Sequence, residues 1–216
     1  MSKTIDYYMT ALSPFSYLGH RALCAVAEKH GASLAVKPLN LPAIFEHSGA
    51  VPPARRPPVR QRYRFIELQR VADYRGLPIN PKPRYWPVDP SLADHTIIAL
   101  IEAGHDPLDY MQRIFAALWV DEEDISDRAV LAAHLRAAGF DSETVLPAAA
   151  RPETAAIRAR NTEEAIAADV VGAPAYILNG EPFWGQDRIE HLDRALATGR
   201  PAFSAAPFMD KPSSKG

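Results

Sequence analysis

The chain has 216 residues, 47% hydrophobic and 23% charged, with a formal net charge of −2. This is an ordinary globular composition, long enough for one large domain or one domain carrying an insertion. The near-zero charge excludes a whole-chain footprint for nucleic acid, and a single cysteine, Cys24, excludes an intramolecular disulfide and dithiol redox chemistry.

No run of about 18 apolar residues occurs, so no membrane span is expected. The opening Met1-Ser2-Lys3-Thr4-Ile5-Asp6 lacks the apolar stretch of a secretory signal. With one thiol and no disulfide framework, the expected location is the cytoplasm.

In chain order, Thr4 to Met9 reads as a strand, and a helical stretch follows from about Pro14 to His30, with Leu18, Ala22, Ala25 and Val26 at helical spacing. Pro14 suits the first turn, where a missing N–H costs nothing, and Gly31 suits the helix end. Ser33 to Lys37 predicts a second strand, stopped by Pro38, which completes a βαβ unit. Residues 41–170 read as mainly helical. Pro52, Pro53, Pro57 and Pro58 mark a loop, Arg60 to Gly76 a helix, and the proline-rich stretch from Leu77 to Pro90 an irregular link. Further helices are predicted at Leu92–Ala103, Leu108–Leu118, Asp127–Ala138 and Glu153–Ala168.

Ala175 to Leu178 and Pro182 to Trp184 flank Asn179-Gly180, the strongest short hairpin signal. A last helix is predicted from about Gln186 to Ala197, and a surface or disordered tail after Pro201. The order βαβ, helical insertion, ββα predicts an α/β thioredoxin-like fold. Its sheet domain takes residues 1–40 and 171–200, its insertion residues 41–170, and its tail residues 201–216.

Ser13-Pro14-Phe15-Ser16 has the spacing of a Cys-x-x-Cys motif with both cysteines written as serine. At a strand-to-helix junction, Ser13 sits beside converging N–H groups and the positive end of the helix dipole, which favours an anion. Taken alone, the same serine is more commonly a plain helix N-cap. Ala173-Pro174 enters the third strand, where the main chain of Ala173 could take a peptide-like ligand by strand addition. Gly185-Gln186-Asp187 offers N–H groups and a carboxylate, a set able to hold both ends of an amino-acid headgroup.

Taken together, these stretches resemble the 2-hydroxychromene-2-carboxylate isomerases, relatives of kappa-class glutathione transferases in the DsbA-like thioredoxin superfamily. The matching blocks are Ile5-Asp6-Tyr7-Tyr8, Leu12 to Leu18, Arg62-Tyr63 with Leu68-Gln69-Arg70, Gly76-Leu77-Pro78, Trp86-Pro87, Val171 to Pro174 and Phe183 to Arg188. The resemblance implies glutathione as cofactor, with its thiol near Ser13. Its thiolate would add to an electron-poor carbon of an unsaturated 2-oxo acid, allow rotation, and leave. It also implies Ala173 and Pro174 with Gln186 and Asp187 as cofactor-binding residues, Arg60 on a carboxylate, and a homodimer. Met9-Thr10-Ala11, Val51 to Ala54 and Val88-Asp89-Pro90 depart from the family pattern.

Phe15, Tyr85 and Trp86 are candidates for the wall of a hydrophobic substrate pocket, although aromatic core packing is the competing reading. The seven histidines show no metal-ligand spacing, and Arg55, Arg56, Arg60, Arg62 and Arg64 form a basic cluster without a nucleic-acid pattern. Two other functions remain open: a kappa-like transferase that conjugates small electrophiles, and a non-catalytic DsbA-like peptide-binding or chaperone module.

Overall fold

The computed structural model describes residues 3–209. Its sheet has four strands: β1 (Lys3–Met9), β2 (Ala32–Pro38), β3 (Ala175–Leu178) and β4 (Glu181–Trp184), in the order β2-β1-β3-β4. β1 pairs parallel with β2, Ile5 opposite Leu34, and antiparallel with β3, Ile5 opposite Leu178. The parallel pair requires a crossover, and α1 (Pro14–His30) supplies it. The β3–β4 hairpin turns on Asn179 and Gly180, both at positive φ (53° and 83°), as a type I′ turn demands. This is the expected thioredoxin-like sheet, and its two halves come from opposite ends of the chain.

Between them run α2 (Leu41–Ser48), α3 (Pro58–Arg75), α4 (Ser91–Glu102), α5 (Leu108–Trp119), α6 (Arg128–Ala137), α7 (Ser142–Ala149) and α8 (Pro152–Ala167). Sequence reading places no element at α2 or α7. Both are eight residues long, and α7 carries Pro147 inside it, so neither has the periodic run that reveals a longer helix. The other insertion helices lie within a few residues of expectation.

At the C-terminal end, the predicted helix splits into a 3-10 turn at Gln186–Arg188 and α9 (Ile189–Thr198). Gly185 at the entry has φ +100°, and a Cβ there would lie 2.5 Å from Asp187 Oδ1, so only glycine suits the corner. Beyond α9, Arg200 and the Phe203 N–H fasten to the Glu181 carboxylate, and a short exposed helix α10 (Ala206–Met209) follows. The rest of the expected tail, 210–216, lies outside the described residues.

One apolar cluster runs from the sheet and α1 into α3–α7, through Tyr7, Leu18, Leu68, Ile97, Phe115 and Trp119. No helix among the described residues is long and apolar enough to cross a membrane. Where α1 meets β3 and the Gln186 turn, Gly19 makes the close approach possible: a Cβ there would lie 2.7 Å from Gln186 Cβ and 3.1 Å from the Tyr176 hydroxyl. Packing thus brings the start of α1 beside the β3 entry and the Gln186 turn.

Candidate active site

β1 ends at Met9, and the turn that follows is held by a charge that sequence reading did not single out. The Asp94 carboxylate in α4 is fully buried. It accepts from the Ala11 N–H at 2.8 Å and the Thr10 hydroxyl at 3.0 Å, and pairs with the Arg158 guanidinium of α8 at 2.8 Å. Burial pushes its pKa up to about 6, opposed first by Arg158 and then by the two hydrogen bonds. Two insertion helices thereby fix the backbone immediately before Ser13.

Ser13 is the N-cap of α1, in extended conformation, and its Oγ accepts from the Ser16 N–H at 3.2 Å. The same hydroxyl donates to the Ala173 carbonyl at 3.2 Å, so the two predicted residues, 160 apart in sequence, are in direct contact. The donors of the first turn can be accounted for one by one. Pro14 has none, Ser16 is taken by Ser13 Oγ, and Tyr17 bonds the Ser13 carbonyl. The Phe15 N–H remains, and no acidic side chain occupies the turn. An uncompensated helix start with a hydroxyl at its mouth stabilises an anion.

The Ala173-Pro174 peptide is cis, as is Trp86-Pro87. No backbone carbonyl among the described residues accepts from the Ala173 N–H. The Pro174 carbonyl accepts from the Gly185 N–H at 2.9 Å, which draws the Gly185–Asp187 corner alongside. Gln186 turns its side chain away from this corner: Oε1 and the carbonyl accept from Arg75 of α3, which also pairs with Glu190. What Gln186 can offer a ligand is therefore its backbone N–H. The Asp187 side chain is largely exposed and lies 3.1 Å from Arg188.

Phe15 is half-buried against the core, as are Tyr85 and Trp86 on the proline-rich link; Trp86 stands 6.1 Å from Trp119 between ring centres. Arg60 is exposed in the first turn of α3. One turn further, Arg64 is 9% exposed, and its guanidinium lies 4.7 Å from the centre of the Trp86 ring. Arg64, Leu68, Val71 and Ala72 share one buried face of α3, but Arg60, one turn earlier, lies on the same side, so periodicity alone does not pick out Arg64.

Below the start of α1, His20 is buried between Tyr7 and Phe115, with Nε2 on the Leu108 carbonyl at 2.9 Å. Burial lowers its pKa to about 4, so the folded protein keeps the imidazole neutral where an unfolded chain, near 6.5, takes up a proton. The stability this confers is whole above pH 6.5 and is lost as pH falls towards 4. It is worth roughly 3 kcal/mol. Urea denaturation across this range should show a shallower acid-side loss for His20→Gln than for the native protein; parallel profiles would remove the assignment. Cys24, one turn along, is partly buried and has its thiol pushed up to about 11 by burial, which suits an unreactive sulfur. A cleft of about 700 Å3 opens elsewhere, between β2, the end of α1 and α4, and includes none of the predicted site residues.

A cysteine-free helix start facing a cis-proline loop, on a thioredoxin-type sheet, is the candidate site, and it has no dithiol. The sequence matches the DsbA-like thioredoxin domain over residues 4–197, and the chain belongs to that family. It is 25% identical over 198 residues to a 2-hydroxychromene-2-carboxylate isomerase of Sphingobium xenophagum, covering 91% of this chain and 99% of that protein. Against human glutathione S-transferase kappa 1 the identity is 24% over 208 residues, covering 91% and 92%. A solved 2-hydroxychromene-2-carboxylate isomerase superposes with a TM-score of 0.77 at 25% identity, over 90% of this chain and 95% of that one. These likenesses support an enzyme of isomerase or glutathione-transferase type.

Proposed function

We propose that the protein is a glutathione-dependent cis–trans isomerase of a conjugated aromatic 2-oxo acid, of the 2-hydroxychromene-2-carboxylate type. The observation that carries this reading is the Ser13 hydroxyl at an uncompensated helix start, in contact with the Ala173 carbonyl. Bound glutathione supplies a thiolate that adds reversibly to an electron-poor carbon, so that the double bond can rotate before the sulfur leaves.

The residues fit that tripeptide. Ala173 offers a carbonyl and an N–H to the cysteinyl main chain, in the manner of an added strand. Once a peptide N–H takes the Ala173 carbonyl, the Ser13 proton is released from its 3.2 Å bond and can turn to the sulfur. The Phe15 N–H and the α1 dipole act in the same direction, favouring the anion of a thiol whose ordinary pKa is about 8.5. The Gln186 and Asp187 N–H groups face the γ-glutamyl carboxylate, and the Asp187 carboxylate its ammonium. Arg60 reaches the glycyl end or a substrate carboxylate, while Phe15, Tyr85 and Trp86 wall the substrate.

Calorimetry with reduced glutathione, followed by turnover of a benzylidenepyruvate-type acid without loss of glutathione, tests the reading. Consumption of glutathione would favour the transferase, a reading that the kappa-class relative supports. Asp187 is exposed, so its pairing is worth about 1 kcal/mol. Asp187→Ala should therefore weaken glutathione binding about 5-fold, and an unchanged dissociation constant would remove that role. The homodimer and the cytoplasmic location belong to the same proposal; exposed Val59, Tyr63, Ile66 and Tyr74 on α3 offer an apolar face for a second copy.

A further inference from the structure

Arg64 presents a charge the fold does not neutralise. Its side chain is one of the few buried cationic ones, yet no carboxylate among the described residues pairs with it, and the neighbouring charge of Arg56 is a like charge. By contrast, Arg158, Arg75 and Arg200 each have a carboxylate at 2.7–2.8 Å. Burying a guanidinium without a counter-charge costs free energy unless something else compensates. The Trp86 ring face at 4.7 Å compensates in part, through cation–π attraction. The indole Nε1 of Trp86 is itself buried without a hydrogen-bond partner among the described residues. A buried indole donor without an acceptor thus adjoins a cation without a counter-charge. The combined burial and Arg56 charge lower the Arg64 pKa only to about 10, so it stays a cation at neutral pH.

We propose that Arg64, laid on the Trp86 indole, is the receptor for the carboxylate of a flat conjugated acid, and so selects the substrate by charge. The proposal deepens the isomerase reading and rests on it for the nature of the ligand. A planar guanidinium suits a carboxylate because its N–H groups meet both oxygens in one plane. A conjugated ring attached to that carboxylate continues the plane and lies against Trp86 and Tyr85. Arg64 is in this sense a specificity residue. It binds the group that identifies the substrate, while Ser13 serves the sulfur.

The test is calorimetry with cinnamate and with its neutral counterpart cinnamamide, on the native protein, Arg64→Met and Arg64→Lys. Native protein should bind cinnamate more tightly than the amide. Arg64→Met should weaken cinnamate by about 10- to 100-fold and leave the amide unchanged, as expected for losing a desolvated charge-assisted pair. Arg64→Lys, which keeps the charge and loses the fork, should fall between the two. Thermal unfolding identifies a variant that fails to fold, in which case the comparison of the two ligands on native protein decides. Equal binding of acid and amide by native protein, no binding of either, or cinnamate affinity unaltered in a folded Arg64→Met would each overturn the proposal. Glutathione affinity is measured on the same samples. Its absence would sink the isomerase reading, whereas the contrast between acid and amide judges Arg64 separately.

Discussion

An Asp94→Ala variant is expected to lose about 3–5 kcal/mol of unfolding free energy, the range for breaking a buried ion pair from one side. The loss has three parts. Arg158 keeps a buried guanidinium without its counter-charge, the Ala11 N–H loses its acceptor, and so does the Thr10 hydroxyl. Total stabilities of ordinary domains are about 5–15 kcal/mol, so the change consumes a large share. Asp94→Asn keeps an acceptor for Ala11 and Thr10 and should cost less. The double variant Asp94→Leu with Arg158→Met removes both charges and should cost less than the sum of its parts. Urea denaturation of the native protein, Asp94→Leu, Arg158→Met and the double variant checks this, and strict additivity would show that the pair is not coupled. Because Asp94 holds the turn before Ser13, the surviving fraction of Asp94→Asn should also show lower turnover.

Ser13→Ala should leave the fold in place and lower turnover by about 10²-fold, the scale on which one well-placed donor to a developing anion acts. The structural cost is that of an N-cap, about 1 kcal/mol, since the Ser16 N–H loses its acceptor. Glutathione affinity should change little, because the tripeptide's main-chain and headgroup contacts fall on Ala173 and the Gly185–Asp187 corner. The discriminating readout is the ionisation of the bound thiol, followed by thiolate absorbance against pH. In native protein it should titrate well below 8.5, and in Ser13→Ala it should move up towards that value. A variant with native turnover, or with an unmoved thiol titration, would disprove the assignment to Ser13.

Much of this was legible in the residues because it is written in local rules. The serine pair at Cys-x-x-Cys spacing, proline at the first turn of α1, Gly31 in the left-handed conformation after it, and Asn179-Gly180 in the hairpin each act over a few residues. Their consequences can be read without knowing what lies opposite. The long helices showed through their periodicity for the same reason, while the short α2 and α7 did not.

The sequence by itself determined the order of the strands and of the longer helices, the absence of dithiol chemistry, and the serine at the helix mouth. Only the tertiary structure decided which residues meet that serine. Neither the contact between the Ser13 hydroxyl and Ala173 across 160 residues nor the Arg75 latch on Gln186 has a local signature. The same holds for the Asp94 clamp, and for the choice of Arg64 over Arg60 as the buried arginine. Two arginines four apart on one helix look alike in sequence. Their fates diverge because one stands exposed in the first turn and the other is carried against the Trp86 ring, where an unpaired charge acquires chemical meaning.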